Sequence, residues 1–98
     1  MGSKPDPVRD EWVQSQYEKL GHVFEMVRKA SGFSQQKAAD GAGLVRGTVA
    51  GLENAVGNPE LETILSVAYA LDMPIGDLLE EEVLPRLLRD ARARRSSL

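Results

Sequence analysis

Cysteine is absent from the chain, which removes disulfides, thiolate chemistry and cysteine-ligated zinc together. Histidine occurs once, as His22, among non-ligating neighbours, so neither a metal site nor a cofactor is expected. With one histidine, no cysteine and scattered carboxylates, no arrangement resembles a catalytic centre, and the chain does not read as an enzyme. No apolar run approaches the roughly 20 residues that a membrane-spanning helix requires. The charged opening stretch, Met1 to Trp12, lacks the apolar core of a secretory signal. A cytoplasmic protein is the expectation. Positive charge is also scarce: the net charge is −3. From Gly32 to Glu60 the basic residues are Lys37 and Arg46, against Asp40, Glu53 and Glu60. A broad basic stripe for phosphates is therefore excluded.

What remains is ordinary globular material. The hydrophobic fraction of 42% beside 28% charged residues excludes wholesale disorder, and 98 residues suit one domain with one modest core. The informative stretch runs from Ser34 to Asn54, SQQKAADGAGLVRGTVAGLEN. Ser34 is an N-cap type, because its hydroxyl can accept an orphan N–H one turn on. Gln35 to Asp40 then predict about two turns of helix, with Ala38, Ala39 and Ala42 inward. Gly43 suits the left-handed position that ends a helix. A second helix is predicted from about Arg46, with Leu44, Val49 and Leu52 inward at helical spacing. Small residues at the crossing let the two helices pack closely and steeply. The outer face of the second then projects from the body in a way that fits a B-DNA major groove.

Flanking segments extend the helical reading. Asp6-Pro7 starts a first helix, with Asp10 and Glu11 close behind. Val13, Tyr17, Leu20, Phe24 and Val27 form its apolar stripe, which ends near Ser31-Gly32. Asn58-Pro59 is predicted to initiate a fourth helix with Leu61, Ile64, Leu65, Ala68 and Leu71 on its buried face. Pro74 opens a short fifth helix ending around Leu79 to Glu81. Leu84, Leu87, Leu88 and Ala91 predict a sixth from about Val83 to Ala93, followed by a frayed Arg-Ser tail. Its acidic start, Glu80 to Glu82, and arginine-rich end both suit the helix dipole.

At Ser34-Gln35, Ala38-Ala39, Ala42-Gly43-Leu44, Arg46, Thr48-Val49, Leu52-Glu53 and Asn58-Pro59 the chain resembles the lambda-repressor/Cro-like (Xre) helix-turn-helix family. The resemblance runs from Leu20 to Leu79, 60 of 98 residues. It includes Leu20-Gly21, Phe24, Arg28 and Gly32-Phe33 before the motif, and Leu61, Thr63, Ala68, Ala70-Leu71 and Leu78-Leu79 after it. It implies an all-α fold: a five-helix lambda-repressor-like DNA-binding domain with an extended N-terminal helix and an added C-terminal helix. The expected divisions are an N-terminal helical extension at 1–19, the helix-turn-helix domain at 20–80, and a C-terminal helix with basic tail at 81–98.

By the same resemblance, Gln35 sits where a glutamine often meets a phosphate. Arg46, Gly47 and Gly51 hold positions that often reach base edges, with Thr48, Ala50, Asn54 and Asn58 beside them. An arginine at position 46 suits bidentate recognition of guanine. Gly47, Ala50 and Gly51 offer only backbone or close approach, and Val45 replaces the serine or threonine that usually caps this helix. Arg28 and Glu53 are expected to form a structural ion pair joining the first and third helices. The function implied is a sequence-specific transcriptional regulator, read here as a nucleoid-associated repressor that binds double-stranded DNA as a homodimer. Trp12 and Tyr17 on the extended first helix, with Leu84, Leu87 and Leu88 on the last, form the expected dimer interface. The alternative is a protein-interaction module on the same scaffold, an antitoxin-like or polymerase-associated adaptor. No stretch remains for a ligand-sensing domain, so regulation is expected from concentration, a partner or proteolysis, or from a larger parent protein if the chain is a fragment of one.

Overall fold

The computed structural model describes residues 4–97, so the first three residues of the expected N-terminal extension lie outside it. All of its regular elements are helices: α1 (Pro7–Ala30), α2 (Gln35–Ala42), α3 (Arg46–Glu53), α4 (Leu61–Ala70), α5 (Ile75–Leu78) and α6 (Leu84–Ser96). Asp6 caps α1 by accepting the Arg9 N–H at 3.2 Å, and Pro7 opens the helix with its φ already helical. Its 24 residues run about 36 Å at 1.5 Å each, far beyond the four-helix core it helps to build.

That core joins α1 through α4. Phe24 from α1, Ala38 and Ala39 from α2, Val49 and Leu52 from α3, and Val67 and Ala68 from α4 form its buried cluster, with Leu71 just past α4. Here α2 packs on α3 and α4, while α1 packs on α3. Alanine on α2 brings its neighbours close. At Gly21 the approach of α1 to α3 is closer still: a Cβ there would lie 2.5 Å from the Leu52 carbonyl oxygen.

Several local expectations need correction. The second helix does not stop at Asp40. It continues through Gly41 and Ala42 to Gly43 at φ +71°, where the Leu44 N–H closes the turn on the Ala39 carbonyl at 2.9 Å. The fourth helix begins at Leu61 rather than at Asn58-Pro59, with Glu60 at its cap position. Leu61 and Leu65 are exposed, not buried. At 100° per residue the row Ile64, Val67, Ala68 and Leu71 points to the core, and Val67 takes the place expected of Leu65. Val13, at the outer end of the α1 stripe, is half exposed because the core begins one turn later.

The C-terminal boundary also differs. No break separates the fifth and sixth helices. Leu79–Val83 form a wide π-helical turn that leads directly into α6. Pro85 explains the widening, since it lacks an N–H and its ring crowds the carbonyl four residues back. Helix continues through Arg94 and Arg95 to Ser96, so the basic tail is ordered helix rather than frayed.

Candidate nucleic-acid interface

The site is built outward from a buried ion pair. Arg28, at the end of α1, donates from Nε to Glu53 Oε2 at 2.6 Å and from Nη2 to Oε1 at 2.9 Å. Its Nη1 donates to the Phe33 carbonyl at 2.8 Å, so the guanidinium is also tied to the turn before α2. Both residues are buried. Burial pushes the Glu53 carboxyl up, but the hydrogen bonds from Arg28 and Gln35 and the arginine charge outweigh it. The net position is below the usual carboxylate range. The hydrogen bond from Glu53 likewise raises Arg28, against the opposing effect of burial. One bidentate contact therefore ties α1 to α3.

Gln35, the first residue of α2, extends this pair toward the surface. Its Nε2 donates to Glu53 Oε1 at 3.2 Å, and its Oε1 accepts from Arg46 Nη1 at 3.2 Å. The order is Arg28, Glu53, Gln35, Arg46, running from the buried interior to an exposed guanidinium at the start of α3. A glutamine suits the third place, because its amide can donate to a carboxylate and accept from an arginine at once. No expectation drawn from the sequence linked these four residues into one chain.

Arg46, Gly47, Ala50 and Asn54 share the outer face of α3 by helical periodicity, while Val49, Leu52 and Glu53 are buried behind it. Arg46, Gly47 and Asn54 are exposed; Ala50 is half-buried. A Cβ at Gly47 would meet nothing within 4 Å, so nothing in the fold requires glycine there. The Asn54 amide is engaged locally, donating to the Ala50 carbonyl at 3.0 Å. Thr48, Gly51 and Asn58 lie to one side, around an open groove of about 600 Å³ between α3 and the loop into α4. The expected contact residues thus fall on two adjoining surfaces, the α3 face and this groove.

One exposed residue was overlooked. Val45, read from sequence only as a missing cap, is 71% exposed beside Arg46. It accepts no hydrogen bond through its side chain, so the N-terminus of α3 carries no side-chain cap. An apolar residue where a capping hydroxyl is expected is the signal that marks it.

Tyr17, expected in the dimer interface, also has a role within the chain. It is half-buried, and its hydroxyl donates to the Val56 carbonyl at 2.9 Å, which fastens α1 to the loop after α3. Trp12, a turn and a half earlier, remains exposed, as do Leu84, Leu87 and Leu88 on α6. These two apolar groups are not folded onto each other.

A helix-turn-helix family model, of Cro type and Xre-like, matches residues 24–78, more than half of the chain. The chain belongs to this helix-turn-helix family. Its match begins at the buried Phe24 and ends with α5, so it spans the polar chain from Arg28 to Arg46 and the α3 face but neither Trp12 and Tyr17 nor α6. No curated protein and no solved structure matches the chain. The helix-turn-helix family is one of DNA-binding regulators rather than enzymes, and its fold is all-α and lambda-repressor-like. Among the described residues no helix is long and apolar enough to cross a membrane, and no cluster of potential ligands gathers for a metal ion.

Proposed function

We propose that this helix-turn-helix protein is a transcriptional repressor that reads double-stranded DNA as a homodimer, with α3 in the major groove. The unit that contacts DNA is residues 20–80, and the protein acts at the nucleoid in the cytoplasm. The carrying observation is the polar chain from Arg28 to Arg46. It supports an exposed arginine at the edge of α3 from a buried ion pair, through Gln35. A guanidinium held in this way loses less freedom on binding than a free one, which favours a directional contact. Arg46 is the guanine-reading residue, and Val45 beside it offers methyl groups suited to thymine. Gly47, Ala50 and Gly51 allow close approach. Gln35, Thr48, Asn54 and Asn58 supply polar contacts at the edge of the face.

The scarcity of positive charge has its own consequence. Few phosphate contacts give weak non-specific binding and a shallow dependence of affinity on salt. A single copy reads one half-site. A dimer spanning half-sites 34–36 Å apart doubles the contact set. The exposed leucines of α6 and Trp12 on α1 support such pairing.

The test uses DNA selected by the protein from a random library at low salt. Arg46→Ala is expected to weaken binding by about 1–3 kcal/mol and to relax preference at one base position. Gln35→Ala frees Arg46 from its support, so it should relax preference at the same base position by a smaller amount, and both variants should keep their helical circular dichroism. Unchanged binding in both would remove this face from the contact and favour the protein-interaction reading.

A further inference from the structure

The outer face of α4 carries Leu61, Leu65 and Tyr69 in one i, i+4, i+8 row, 69%, 48% and 81% exposed. They line a groove of about 750 Å³ against the Gly41–Gly43 end of α2, continued by a hollow of about 320 Å³ beside Asp72. The charged residues along this surface are Asp40, Glu62 and Asp72, all acidic. Elsewhere in the same chain, α6 presents exposed Leu84, Leu87 and Leu88. At 100° per residue Arg92 and Arg94 fall on either side of that stripe and Arg95 continues it. α6 continues directly from the π-helical turn that precedes it.

We infer that α6 of a second copy lies in the α4 groove, and that the exchange is reciprocal. This rests on the homodimer of the proposed function and specifies how it is made. Three observations carry it. The leucine stripe from Leu84 to Ala91 rises about 10.5 Å and the α4 row from Leu61 to Tyr69 about 12 Å, so the two match in length. An arginine-flanked arm meets a groove whose charged residues are all carboxylates. Both surfaces are uncovered within one chain, yet two copies related by a two-fold axis cover both at once.

Because the chain has no cysteine, single introduced thiols report the contact directly. Mixing Tyr69→Cys with Leu87→Cys protein under mild oxidation is expected to yield a disulfide-linked heterodimer as the main product. Sedimentation of the full chain without DNA at micromolar concentration should give a dimer. Leu65→Glu on the groove and Leu87→Glu on the arm should each weaken it at least tenfold. An equimolar mixture of those two variants should recover part of the association, since one intact arm then meets one intact groove. All positions are exposed, and unchanged melting of the monomer confirms folding. A dimer insensitive to Leu65→Glu, in which Leu87→Cys links only to itself, would overturn the groove contact in favour of α6 pairing while leaving the homodimer standing. A Tyr69→Cys/Leu87→Cys chain linked within itself would overturn the exchange alone, and a wild-type monomer would overturn the exchange and the homodimer together.

Discussion

Helices α2 and α3 are both eight residues long and lie one turn apart, yet they are held in place by opposite means. The first is specified locally. The Ser34 hydroxyl accepts the Lys37 N–H at 3.0 Å, and Gly43 ends the helix in the left-handed region. Its buried residues are only alanines. The second has Val45 where a cap belongs and contains Gly47 and Gly51, which cost about 1 kcal/mol each relative to alanine. It is nevertheless formed, because Val49, Leu52 and Glu53 are buried behind it. A helix held from behind leaves its front without structural duty. The proposed reading face requires such freedom.

If α3 depends on tertiary support, the largest loss should come from cutting that support. Glu53→Ala strands a buried guanidinium and is expected to cost about 3–5 kcal/mol in denaturant unfolding. Arg28→Met combined with Glu53→Leu should recover much of it, and strictly additive effects would show that the pair is not coupled. The pH dependence follows from the depressed Glu53 carboxyl. Its contribution is present above the unfolded value of about 4.3 and is lost as pH falls through the lower folded value. Acid titration of stability should therefore be flatter in Glu53→Gln than in the wild type.

A smaller loss is expected at the α1–α3 crossing. In Gly21→Ala the new methyl would stand 2.5 Å from the Leu52 carbonyl oxygen and 2.8 Å from that of Glu53. Backbone atoms do not step aside as side chains do, so the helices must separate, at about 1–3 kcal/mol. The measurement is thermal unfolding. An unchanged midpoint would mean that α1 and α3 are not so closely packed.

The smallest effects bear on the contrast itself. Ser34→Ala should cost about 1 kcal/mol through the lost α2 cap. Val45→Ser should add a similar amount to α3, because the exposed valine gives up little burial. If Val45→Ser leaves stability unchanged, the α3 terminus is satisfied by other means, and the two helices differ less than their caps suggest.

How far the sequence could be read follows the same division. The span of α1, the cap at Ser34 and the turn at Gly43 rest on contacts within a few residues, and each is legible from residue type and spacing. Leu61 and Leu65 were misread because a dense run of apolar residues on α4 admits two helical phases. Only packing against α2 selects the phase of Ile64, Val67, Ala68 and Leu71. Pro85 was visible, but its consequence was not: a π-helical turn rather than a break.

By itself, then, the sequence determined an all-helical chain and its helix-turn-helix, because caps, glycine turns and periodicity act over one or two turns. The resemblance marked Arg28 and Glu53 as a pair, and Gln35 and Arg46 singly. Only the tertiary structure joined them into a single path from core to surface, because their hydrogen bonds span 11 to 25 residues. It alone also decided which apolar residues are left exposed on α4 and α6. Exposure depends on what packs nearby, and no local pattern encodes it.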